Sequence, residues 1–309
     1  MELKGNYRIA SIDILRGIVM IIMALDHTRD FFHSTAMTAD PLDPATTHPA
    51  LYFTRWITHF CAPVFVFLSG LSAWLSSQKK SKTEASLFLV KRGLWLVIVE
   101  ITLVTFGITF NPNFNFLILQ VIWVIGWSMV LLGILVRFSQ KLILIIGLIL
   151  FFGHNALDYY DLPQSGAGAI ALQLFFRSNA VIALDESHNM LVLYAILPWT
   201  AAMFLGYSIG TWFHRDFPAV KRKRLLLYTG LSLVGIFLVI RYFNLYGNPR
   251  DWQRSDSFWK SVFAFLNTSK YPPSLQYLCM TLGPACIFLS FTENIRTGWS
   301  RFVSVYGRV

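Results

Sequence analysis

Apolar residues arrive along this chain in long, nearly unbroken runs, separated by short polar connections. The runs cover about residues 10–32, 51–76, 93–110, 116–136, 142–157, 190–213, 225–243 and 274–292. A helix needs about 20 such residues to cross some 30 Å of hydrocarbon. A transmembrane barrel would instead show alternating segments of about ten residues, and none occur. The pattern predicts an all-α, polytopic bundle of eight membrane helices forming one domain over 1–309. No internal repeat suggests the inverted halves of a transporter.

The connections carry turn and loop signals. Asp40, Pro41, Asp43, Pro44, Thr46, Thr47, His48 and Pro49 separate the first two runs, and Asn111-Pro112-Asn113 makes a turn. The stretch from Asp158 to His188 reads as an exposed loop with an apolar patch at 170–176 suited to a membrane surface. Gly206 and Gly210 have the small-residue spacing that suits close helix packing or a kink. Tyr271-Pro272-Pro273 leads into the eighth run, where proline at a helix start is well tolerated.

Composition agrees. Of 309 residues 55% are hydrophobic and 14% charged, with a mean hydropathy of +0.54. The net charge of +10 would suit a nucleic-acid partner, but the bases gather in short connections as the positive-inside rule expects. With the N-terminus in the cytoplasm, 17 of the 26 Lys and Arg fall inside. Both termini are therefore expected in the cytoplasm, with the protein integral to the cytoplasmic membrane and the lipid bilayer, not nucleic acid, as its surroundings. Lys4 and Arg8 precede the first run as in a signal peptide, yet Asp13, Arg16, Asp26 and His27 interrupt it and no small-residue cleavage site follows, so it reads as an uncleaved helix. Cys61, Cys279 and Cys286 all lie in apolar runs and read as packing residues.

Charge inside the first two runs changes the picture, because an ionisable side chain at membrane depth normally faces a protein interior or a watery cavity and marks a site. Asp26, Arg29 and Asp30 are spaced i, i+3, i+4 and can pair on one helix face, as can Asp13 and Arg16. Arg55 and His59 are likewise four apart. Asp26 and His59 each fall about 10 Å below the same surface by helical rise, which predicts a polar chamber in the outer half of the membrane. Asp13–Arg16 reads equally well as an ion pair that fixes packing, His59 as a satisfied buried histidine, His33 as a boundary residue, and His48 alone as an ordinary loop histidine. The histidines lack the spacing of a zinc hydrolase, so no metal is expected. There is no phosphate loop and no nucleophile elbow.

Ser11-Ile-Asp13-Ile-Leu-Arg16-Gly17, Ala24-Leu-Asp26-His27-Thr-Arg29-Asp30 and Phe60-Cys-Ala-Pro63-Val-Phe-Val-Phe-Leu-Ser-Gly70, with Leu197-Pro198-Trp199 and Lys270-Tyr271-Pro272-Pro273 later on, carry a likeness over most of the chain. It resembles the bacterial branch of the heparan-α-glucosaminide N-acetyltransferase-like family of transmembrane acyltransferases. The resemblance implies transfer of acetyl from cytoplasmic acetyl-CoA, as acyl donor, to a sugar or glycan acceptor across the membrane. It implies that His48, by its distance from Pro63, takes the place of the family's catalytic histidine, with Asp26 or His27 nearest to a polar partner at the end of the first helix. His59 is a further catalytic candidate. Arg16, Lys91 and Arg92 near the inner surface, with Arg29 and Arg55, are candidates for holding the donor; Lys270 and Tyr271 are weaker ones because the topology puts them outside. Relatives continue into further helices where this chain reaches Val309, so more of the bundle is expected, and self-association into a homo-oligomer stays open. A proton-coupled transporter using Asp26, His27, Arg29 and Asp30 as a relay is the alternative reading, and a non-catalytic assembly partner a third.

Overall fold

The computed structural model describes residues 9–33, 40–43, 46–160, 163, 165–293, 295 and 297–308. Helix α1 spans Ala10–Phe32, the whole first run. The second run is divided into α2, Pro49–Thr58, and α3, Cys61–Ser77. The division has a local cause. Pro63 has no N–H to give to the carbonyl four residues back, that of His59, and His59 and Phe60 instead donate their amides to Trp56 and Ile57. Both keep right-handed helical backbone, so Pro49–Ser77 still forms one span of 29 residues.

The third run starts earlier than its apolar core. Ser81 and Glu84 form a capping box, each side chain accepting the other's backbone amide, and this starts α4, Lys82–Val99, beneath the basic connection. A π-helical turn, Glu100–Val104, joins it to α5, Thr105–Thr109.

Two expectations are corrected next. Residues 116–119 and 190–192, read as helix, are strands: β1, Phe116–Leu119, precedes α6, Val121–Leu135. After α7, Gln140–Gly153, with its 3-10 extension His154–Tyr159, and α8, Gly166–Phe175, come β2, Ala180–Ala183, and β3, Asn189–Val192. β3 lies between the other two, parallel to β1 with Phe116 opposite Asn189, and antiparallel to β2 with Val192 opposite Ala180. Short apolar runs have no periodicity that separates strand from helix, which is why they merged with the helices that follow them.

The remaining helices are α9, Ile196–Ile209, α10, Ala219–Tyr242, α11, Phe258–Leu266, α12, Leu275–Thr292, and α13, Gly298–Tyr306. Among the described residues four helical stretches are long and apolar enough to cross a membrane: Pro49–Ser77, Gln140–Tyr159, Ala219–Tyr242 and Leu275–Thr292. The α1 helix is as long but carries Asp13, Arg16, Asp26, Arg29 and Asp30.

Close packing fixes the centre. A Cβ on Gly206 of α9 would lie 2.0 Å from the Phe67 carbonyl oxygen of α3, and one on Gly70 of α3 at 2.0 Å from that of Met203. The two helices therefore touch backbone to backbone, which only glycine permits. Gly206→Val should force them apart and destabilise the bundle by about 3 kcal/mol, seen as a lower melting temperature in detergent; an unchanged melting curve would refute this packing role.

The Asp13–Arg16–Gly17 motif serves a similar end. Arg16 donates to the Gly307 carbonyl at 3.1 Å and to the Ser72 hydroxyl at 2.5 Å. A Cβ on Gly17 would meet the Val303 carbonyl oxygen at 2.1 Å. The motif thus docks α13 onto α1 and ties both to α3.

Candidate active site

The site lies where the last third of α1 meets α2. Asp26 is buried, and one of its oxygens accepts from Arg55 at 2.6 Å and from Arg29 at 2.8 Å. Arg29 also reaches Asp30 at 2.6 Å, and Arg55 reaches Thr58 at 3.3 Å. The face-sharing expected of Asp26, Arg29 and Asp30 is realised, and Arg55 extends it across the helix seam. The Arg55–Asp26 bond ties α2 to α1, and removing one partner would leave a largely buried charge uncompensated.

Above this network opens a cleft of about 490 Å³ lined by Arg29, His33, His48, Leu51, Thr54 and Thr58 among others. His48 is the N-cap of α2. Its Nδ1 accepts the Leu51 amide at 3.4 Å, and Pro49 follows at the first helical position. The cap places the imidazole on the rim with its ring set against the helix start. A neutral His48 that keeps this contact has its proton on Nε2. The contact is long and weak, so Nδ1 is the ring nitrogen left to accept.

His59 sits below, 2% exposed, at the α2–α3 break. Its freed carbonyl accepts the Tyr277 hydroxyl of α12 at 2.8 Å, and the two rings meet edge to face with centroids 5.5 Å apart. His59 Nδ1 has no hydrogen-bond partner among the described residues, and the same holds for Arg29 Nη1 and Trp199 Nε1. Lys270, Arg55, Asp26 and Arg29 lie within electrostatic reach of His59. Lys270, expected to be a weaker candidate, thus joins the same polar cluster, its ammonium 5.1 Å from the Tyr271 ring centre. Tyr271 in turn contacts the Tyr194 hydroxyl at 3.4 Å.

Other expected residues lie elsewhere. His27 is exposed on α1, about 100° around the helix from Asp26, and outside the ion-pair network that a relay would need. Arg16 is engaged with Gly307 and Ser72, and Lys91 and Arg92 are exposed on α4. Among the described residues Asp26 bonds to arginines and not to a histidine, and the guanidiniums offer a fixed charge that a neutral imidazole lacks.

Sequence reasoning missed Glu100, fully buried, whose Oε1 accepts the Gln120 amide at 2.8 Å and so caps the start of α6. A lone acid within an apolar run was the available signal. It also missed Tyr277, which no local spacing connects to His59. Asp185, Ser187 and His188 resemble a catalytic trio, but serine and carboxylate both bond the same nitrogen, Nδ1 of His188. No proton can pass through that ring from one to the other. The trio is a turn, in which the Ser187 amide, with the His188 ring, holds the Asp185 carboxyl well below the usual carboxylate range. Among the described residues no three His, Cys, Asp or Glu side chains gather as a metal site.

Apolar helices of membrane length with buried ionisable groups beneath an open cleft define a membrane protein with a polar site at one end of its bundle. Residues 8–246 match the family model for heparan-alpha-glucosaminide N-acetyltransferase, catalytic, and the chain belongs to this acetyltransferase family. A comparison with the curated proteins returned no match.

Proposed function

We propose that the protein transfers acetyl from acetyl-CoA to a sugar or glycan on the far side of the cytoplasmic membrane, with His48 as the reacting imidazole. The observation that carries this reading is the capped His48 lining a cleft that Arg29, paired with Asp26, also lines. In this reading α1, α2–α3, α4–α5, α6, α7, α9, α10 and α12 cross the membrane, with both termini in the cytoplasm and the cleft outside.

The acceptor amine or hydroxyl attacks the thioester carbonyl as His48 takes its proton. A C–N or C–O bond forms, the C–S bond breaks, and the departing thiolate recovers that proton from the imidazolium. Alternatively the imidazole takes the acetyl group first and passes it on, with the same balance. At the opposite end of the bundle a cleft of about 360 Å³ lined by Lys80, Lys82, Gln78 and Gln140 offers cationic partners for the donor's phosphates. Lys91 and Arg92, exposed on α4 outside that cleft, are further candidates, whereas Arg16 would have to leave Gly307 and Ser72.

The test is thiol release from acetyl-CoA by the purified protein, offered a panel of amino sugars and glycans. Release that requires an acceptor supports the reading. Absence of both acetyl-CoA binding and turnover, with the protein shown to be folded, would overturn it.

A further inference from the structure

One stripe of α1 lines two cavities. Leu15, Ile18 and Ile22 border an apolar groove of about 240 Å³ closed by Trp56, Phe60 and Phe288. Leu25, Arg29 and Phe32 border the His48 cleft. These positions follow one another at intervals of three and four, so they share a single helix face over about 25 Å of rise. Ile57 in the groove and Thr54 and Thr58 in the cleft continue the same seam on α2. The groove is thus the inward continuation of the cleft.

The two ends differ in chemistry. The inner end is apolar, and Ile57 beside it is 42% exposed, so the groove opens sideways towards lipid. At the outer end Arg29 lines the cleft with its Nη1 unpartnered among the described residues, and behind it Arg29, Arg55 and Lys270, all within electrostatic reach of Asp26, outnumber Asp26 and Asp30. A groove with an apolar inner end and a cationic outer end complements a molecule with one apolar chain and an anionic head.

Resting on the acetyltransferase reading, we propose that the acceptor is a lipid-linked sugar: a single-chain glycolipid bearing a phosphate, its chain along the Leu15–Ile22 stripe and its head beside Arg29. Such an acceptor reaches the site by lateral diffusion, and its sugar is presented to His48 at the rim. The chain supplies binding through buried apolar surface, and the phosphate fixes depth through a charge-assisted bond to the guanidinium. The transfer step is the one already written, with the sugar's amine or hydroxyl as nucleophile.

The test uses the full chain in phosphatidylcholine nanodiscs and dodecyl phosphate with a diazirine in its alkyl chain as probe. Photolabelling should concentrate on the α1 and α2 peptides and be competed by unlabelled dodecyl phosphate, but not by dodecanol or inorganic phosphate. Ile57→Trp, which fills the groove from an exposed position, and Arg29→Gln should each lower labelling about tenfold. Labelling spread evenly over lipid-facing helices, or unchanged in Ile57→Trp, would mean annular lipid and overturn the proposal. Equal competition by inorganic phosphate or by dodecanol would overturn it as well, by removing the chain or the head from recognition. Labelling needs no acetyl-CoA, so its failure is separable from failure of the transferase reading, which thiol release tests alone.

Discussion

His48→Ala should reduce acetyl transfer by about two to four orders of magnitude, the usual range for losing a positioned acid–base group, while the bundle stays folded. The folding cost is small because His48 contributes one exposed cap whose contact to the Leu51 amide is 3.4 Å long. Losing a cap costs about 1 kcal/mol. His48→Asn separates the two roles, since asparagine is among the best N-caps and has no group that takes a proton near neutral pH. Thiol release and melting temperature measured side by side should show His48→Asn as stable as wild type and as inactive as His48→Ala. Transfer by His48→Asn at wild-type rate would remove His48 from the chemistry and turn attention to His59, whose unpartnered Nδ1 lies in the layer beneath.

The site was legible in the sequence wherever one element sufficed to define it. Asp26, Arg29 and Asp30 lie on one helix turn, so spacing alone predicted their pairing, and the structure shows it. Helical rise put Asp26 and His59 at a common depth, but whether Arg55 or His59 would take Asp26 depends on how α2 rotates against α1. The His59–Phe60 break is written in Pro63, whose missing N–H frees the His59 carbonyl. Its consequence was not legible, because the hydroxyl that fills the vacancy comes from Tyr277, 218 positions further along the chain.

The same division explains the other departures. Capping residues mark real boundaries: Ser81 with Glu84 starts α4, Ser139 starts α7 and Ser274 starts α12. Strands β1 and β3 have no such marks, and their pairing is fixed by partners some 70 residues apart. Asp13 and Arg16 were open between binding and packing. The Gly307 and Ser72 contacts show Arg16 in a packing role that only the return of α13 could reveal. Lys270 lies beyond the stretch matched by the family, yet it is within electrostatic reach of Asp26 and His59. The polar site is therefore assembled from both ends of the chain, and only its first half has a local signature.

The Asp26 carboxylate should be the most costly of these groups to neutralise. Asp26→Asn keeps the size of the side chain but leaves Arg55 without a carboxylate and Arg29 with only the exposed Asp30. The side chains of Arg55 and Arg29 are 18% and 12% exposed, so water cannot fully replace the lost partner. Breaking a buried pair from one side typically costs about 3–5 kcal/mol, because an uncompensated charge is left behind. The expected result is a large fall in detergent melting temperature together with loss of transfer, since the α1–α2 seam that forms the cleft loses its tie. The double variant Asp26→Asn/Arg55→Gln removes the stranded charge as well and should regain part of the stability, giving a coupling energy of about 1–3 kcal/mol in the cycle. It should not regain transfer, because the α1–α2 seam beside the cleft is no longer held in place. If the single and double variants melt together, near wild type, the ion pair is screened and contributes nothing to the seam. A double variant that melts below the single one would instead show Arg55 supporting the bundle through Thr58 and its stem packing, with Asp26 an accessory.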